Sequence, residues 1–146
     1  MPRIRAAERP AILVAGRSAP LGHAEIRAAA ARALGRARGR AALSISFVGP
    51  DRIRALNARW KRRRALTDVL AFSLGAPDGG VVGDIYICPR VAAREARARG
   101  LPLREELLRL VIHGTLHVLG WDHPEGEGRT DSPMWRRQER LVKELA

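Results

Sequence analysis

A chain of 146 residues is long enough to bury one core and too short for two ordinary domains, so residues 1–146 are expected to form a single unit. Its 27 Lys and Arg against 15 Asp and Glu leave a formal charge of +12, which favours a polyanionic partner, nucleic acid first. Cys88 is the single cysteine, which excludes an internal disulfide framework and a cysteine-cluster metal site and suits a reducing, cytoplasmic setting. Neither an apolar signal core nor a stretch approaching the ~20 apolar residues of a membrane span is present, so a soluble, unexported protein is expected.

In chain order, residues 1–10 read as irregular and Ala11–Val14 as a short first strand. From Ala24 the period changes. Ile26, Ala29, Ala30, Ala33 and Leu34 form a helical stripe, with Arg27, Arg32 and Arg36 off it, and Gly35 to Gly39 end the helix. Leu43, Ile45 and Phe47 alternate with Ser44 and Ser46 as in a half-buried strand. Gly49-Pro50-Asp51 then opens a helix whose core-facing residues are expected to be Ile53, Leu56 and Trp60, and which runs into Lys61-Arg62-Arg63-Arg64.

Val69–Phe72 and Val82–Cys88 read as two strands of a loose hairpin around residues 75–80. Pro89 starts a helix ending near Gly100, and Pro102 starts a longer one through Leu119, with Gly120 as its stop. After a polar loop, Asp131 is expected to cap a last helix with the stripe Met134, Gln138, Leu141 and Leu145. The order β-α-β-α-β-β-α-α-α defines an α+β domain, one mixed sheet of about four strands covered by helices.

Three of the four histidines, His113, His117 and His123, fall within eleven residues. Histidines at i and i+4 project from one helix face, and Gly120 lets the chain turn so that His123 can supply a third nitrogen to the same ion. Three nitrogen ligands with a fourth position open is the pattern of a catalytic zinc site. The spacing also matches that of the metzincin proteases, but where their first His is followed by a catalytic Glu this chain has Gly114. Peptide hydrolysis by their route is thereby disfavoured, and the missing side chain is expected to leave space beside the ion. Asp122 either orients a ligating imidazole or shapes the turn. Asp84, an unexpected strand carboxylate, is placed on the wall of the site, Trp121 and Trp135 over the metal loop, and Cys88 in the core.

The segment His113–His123, with Gly114, Leu116, Gly120 and Asp122, resembles the signature of the YbeY endoribonucleases. Leu56-Asn57, Thr67–Phe72, Gly83-Asp84-Ile85, Met134 and Glu139 resemble further segments of that family in the same order. The resemblance implies a zinc-dependent endoribonuclease, one Zn2+ per chain, cutting single-stranded RNA in ribosomal RNA maturation at the 16S 3′ end and in ribosome quality control. It also implies ribosomal RNA and ribosomal proteins as partners. Where the family usually carries Tyr-Arg this chain has Trp60-Lys61, so the catalytic cation falls to Lys61 or Arg62, and Lys61, Arg62, Arg63 and Arg64 are expected to contact RNA. Lysine keeps the charge but not the planar fork. Ala71 stands where the family commonly has Ser. The rival readings are a metalloprotease-like hydrolase and a non-catalytic, metal-stabilised RNA- or ribosome-binding protein.

Overall fold

Alternation and helical periodicity translate directly into elements in the computed structural model, which describes residues 10–62, 65–76 and 79–146. Strands β1 (Ala11–Ala15), β2 (Ala41–Phe47), β3 (Val69–Ser73) and β4 (Val81–Ile87) form one mixed sheet in the order β1-β2-β4-β3. β1, β2 and β4 are parallel, and β3 runs antiparallel to β4 at the edge. The helices are α1 (His23–Leu34), α2 (Pro50–Trp60), α3 (Pro89–Arg99), α4 (Leu103–Val118) and α5 (Pro133–Leu145). The expected α+β architecture is therefore the observed one. A 3-10 segment, Gly35–Arg40, occupies the glycine-rich stop after α1.

The period of two sorts the sheet into faces. Leu43, Ile45, Phe47, Ile85 and Ile87 are buried together with Ile26, Ala29, Ala30 and Leu34 of α1 and Leu107, Leu108 and Val111 of α4. Burying each such Leu or Ile contributes about 1.5–3 kcal/mol. On the opposite face, Ile53 of α2 joins Leu70, Cys88 and Val91 in a smaller cluster at the β3 edge. Cys88 is thus a small core hydrophobe, as expected.

α4 is the central helix. Every residue from Glu106 to Leu116 is buried, as the helix lies against the sheet, α1, α3 and α5. Glycines let it settle on β4: a Cβ at Gly114 would lie 2.8 Å from Cγ2 of Ile85, and one at Gly83 would collide with Val118. The space expected beside an ion at Gly114 is consequently absent, because that position faces the sheet. A methyl group there overpacks the interface, at a cost of about 1–3 kcal/mol.

Three other expectations are corrected. Asp84 lies on the sheet face away from α4, since its neighbours Gly83 and Ile85 face the helix, so it does not wall the site. Trp60, expected in the core, is 59% exposed. As the last residue of α2 it packs edge-on against Phe72, and Asn57 completes the buried stripe begun by Ile53. The cap of α5 is Ser132, whose hydroxyl accepts from the Trp135 N–H at 3.2 Å, while Asp131 lies in the preceding 3-10 turn, Arg129–Asp131.

Candidate metal centre

His113 and His117 stand one turn apart at the C-terminal end of α4, and the helix closes immediately after them. The Trp121 N–H reaches the Leu116 carbonyl at 3.0 Å and the Gly120 N–H the His117 carbonyl at 2.9 Å, the paired bonds of a Schellman turn. That turn requires a left-handed residue, which Gly120 supplies with φ of 104°. Asp122 then accepts the His123 backbone N–H at 2.9 Å, so of its two expected roles it has the turn-shaping one. The chain is thereby reversed and His123 returns over the helix end. Ring centroids are 4.6 Å apart for His113 and His117, and 5.1 Å from each of these to His123.

The ligand nitrogens of the three rings lie within 4.8 Å of one another, close enough to hold one metal ion. Hydrogen bonds decide which nitrogens these are. Each Nδ1 faces an oxygen: Gln138 Oε1 at 2.6 Å from His113, the Trp121 carbonyl at 3.2 Å from His117, and the Pro124 carbonyl at 2.9 Å from His123. An oxygen acceptor holds the proton on Nδ1, which leaves all three Nε2 lone pairs free. His123 Nε2 is buried without a hydrogen-bond partner among the described residues, an orphan acceptor that a cation would satisfy. Three neutral imidazoles suit zinc and comparable transition metals.

Burial reinforces neutrality. It pushes His113 down to about 4, with the neighbouring His117 and His123 acting in the same direction against the Gln138 hydrogen bond. His117 is lowered by burial and then by His123. Both rings are ready to ligate at neutral pH. Because the folded protein resists protonation of His113 while the unfolded chain does not, metal-free stability should be full above the ordinary value of 6.5 and fall as pH drops towards 4. The loss is expected to be about 3 kcal/mol, measured by urea unfolding of the metal-free protein at pH 7 and pH 4.

The histidines form part of the wall of an open cavity of about 770 Å³ beside edge strand β3. Lys61, Asp68 and Arg129 line the same cavity. Lys61 holds its ammonium 5.1 Å from the centroid of the Phe72 ring. Arg62 is exposed, has φ of 57° and is not among the lining residues. Arg63 and Arg64 lie outside the described residues. Trp121 and Trp135 do not line the cavity either, although Trp135 stacks under Arg129 at 5.4 Å.

Sequence reasoning gave no role to Arg129, Asn57 or Asp68, polar residues that line this cavity. Asn57 is buried and its amide donates to the Ala65 carbonyl at 2.8 Å, which ties the end of the basic segment to α2. Its place four residues after Ile53 on an apolar stripe was the available signal. Asp68 precedes β3. Burial, and then the Glu106 charge, raises its carboxyl above the ordinary value.

Comparison with known proteins matches residues 22–146 to the family described as Endoribonuclease YbeY. The chain is 48% identical over 95 residues to Endoribonuclease YbeY of Bifidobacterium longum, covering 58% of this chain and 52% of that protein. It is 46% identical over 116 residues to the protein of the same name from an Anaeromyxobacter, covering 78% and 56%. The corresponding Thermotoga protein is 38% identical over 103 residues, covering 70% and 67%. The chain thus spans about half the length of the Bifidobacterium and Anaeromyxobacter relatives. A solution structure from Thermotoga maritima superposes with a TM-score of 0.65 at 30% identity, over 92% of this chain and 88% of that one.

Proposed function

This chain belongs to the YbeY endoribonuclease family, and on that premise we propose that it is a zinc-dependent endoribonuclease of single-stranded RNA. The observation that carries the reading is the convergence of three Nε2 lone pairs, one of them an orphan, in the wall of a cavity that also presents cations. We assign residues 1–146 to one hydrolase domain, ribosomal RNA as the substrate, and maturation of the 16S 3′ end and ribosome quality control as the setting. Ribosomal proteins are the protein partners we propose. No described helix is long and apolar enough to cross a membrane, and we place the protein in the cytoplasm.

His113, His117 and His123 would hold the ion. When bound, zinc supplies Lewis acidity toward a phosphoryl oxygen and acidifies water. The remaining work belongs to the chain. Lys61 and Arg129 present positive charge to the scissile phosphate, where negative charge grows in the transition state. Arg62, Arg63 and Arg64 hold the strand through flanking phosphates, a contact that positions RNA without reading its sequence. Asp68 is the group we assign to proton transfer. Of the other cavity carboxylates, Asp122 is committed to the His123 N–H and Glu125 is exposed, whereas Asp68 is half-buried with a raised carboxyl.

Gly114 argues against proteolysis on grounds of geometry as well as chemistry. A glutamate there would be driven toward Ile85 and could not serve the ion's open side without displacing α4. The test is a paired assay of zinc-loaded protein on unstructured RNA and on casein. RNA cleavage with intact casein is expected. Zinc-dependent casein cleavage with intact RNA would overturn the reading.

A further inference from the structure

Gln138 sits where an amphipathic helix calls for an apolar residue. It shares the inner stripe of α5 with Met134 and Leu141 and is 1% exposed. A buried primary amide is tolerated only if its donors and acceptor find partners. Here they do: Gln138 Nε2 donates to Glu139 Oε2 at 2.9 Å, and Gln138 Oε1 stands 2.6 Å from His113 Nδ1. Glu139 is gripped in turn by a two-pronged bond from Arg109, Nε to Oε2 at 2.8 Å and Nη2 to Oε1 at 2.9 Å. Arg109 also donates to Glu105 and Glu106, each at 2.9 Å.

The polarity of this chain is forced from its far end. A guanidinium only donates and a carboxylate only accepts. Glu139 must therefore receive the NH2 group of Gln138, which turns the amide oxygen to His113. That oxygen can only accept, so His113 must carry its proton on Nδ1 and leave Nε2 bare. We propose that Gln138 is a positioning residue for the metal centre, with Glu139 and Arg109 fixing its amide so that His113 is locked in the metal-binding tautomer. His117 and His123 lean on backbone carbonyls, which cannot flip in this way; His113 leans on a side-chain amide, which can. The inference rests on the reading of the three histidines as a metal centre.

Two measurements on the full chain test it. Nitrogen-15 NMR of the metal-free wild type should place the His113 proton on Nδ1, and a proton on Nε2 overturns the inference whether or not any variant folds. Zinc affinity, read by competition with a chromophoric chelator, should weaken about 10–100-fold in Gln138→Met, which keeps the volume and removes the amide. The double variant Gln138→Glu, Glu139→Gln keeps the net charge and an acceptor facing His113 Nδ1, while it reverses the bond between residues 138 and 139 and leaves Arg109 one of its two acceptors at 139. It should recover affinity to within about threefold of wild type if an acceptor held against His113 Nδ1 is what matters. Zinc uptake by wild type with unchanged affinity in Gln138→Met overturns this inference and leaves the metal centre standing. Failure of the wild type to take up zinc overturns both.

Discussion

His117→Ala is expected to lose its zinc and, with it, RNA cleavage. Removing partners one shell outside a metal weakens binding about 10–100-fold, and removing a coordinating nitrogen must exceed that, since two imidazoles remain where three converge. Elemental analysis after passage through a chelating buffer should find about one zinc per wild-type chain and none in the variant. Thermal unfolding separates metal loss from damage to the fold. Saturating zinc should raise the wild-type midpoint, because a ligand at about 100 times its dissociation constant contributes roughly 2.7 kcal/mol, whereas the variant should not respond. His117 is also only partly buried, so the metal-free variant should unfold near the metal-free wild type. Stoichiometric zinc in the variant would remove His117 from the site.

The parts of the structure legible in the sequence are those set by periodicity. The α1 stripe of Ile26, Ala29, Ala30, Ala33 and Leu34 is buried residue for residue, and β2 alternates as its Leu-Ser-Ile-Ser-Phe run implies. The histidine cluster was legible for a similar reason: an i, i+4 pair followed by a glycine stop constrains a short stretch of backbone, and the Schellman turn at Gly120 delivers the third ring. What failed depended on contacts distant in sequence. Whether Trp60 is covered depends on what lies opposite the end of α2, and whether Gly114 opens space depends on Ile85, 29 positions earlier. Gln138 was legible as a buried stripe position but not as a partner of His113, because that pairing needs the docking of α5 on α4. Asp68 lies in a segment without period at all, and its place in the cavity follows from the edge position of β3.

Asp68→Asn should lower kcat for RNA cleavage by about 10²–10⁴-fold, the range that a positioned acid or base contributes, while KM and zinc content stay close to wild type. In the role proposed, the carboxylate takes the proton from the attacking oxygen, whether that oxygen belongs to water or to the RNA 2′-hydroxyl. An asparagine has the shape but no basic lone pair of comparable strength. The pH profile carries the same signature. The Asp68 carboxyl is raised by burial and by Glu106, so the wild-type rate should fall on the acid side from a pH above the ordinary carboxylate range, and the residual activity of Asp68→Asn should lack that limb. Stability should move the other way. A carboxyl whose folded value lies above its unfolded value is penalised when ionised, so its cost to the fold appears as pH rises through the unfolded value and is complete above the folded one. At neutral pH the asparagine variant should therefore be at least as stable as wild type by urea unfolding, a pairing of lost rate with retained stability that marks a group held in place for chemistry. A wild-type kcat in Asp68→Asn would leave the cavity without the proton acceptor assigned here.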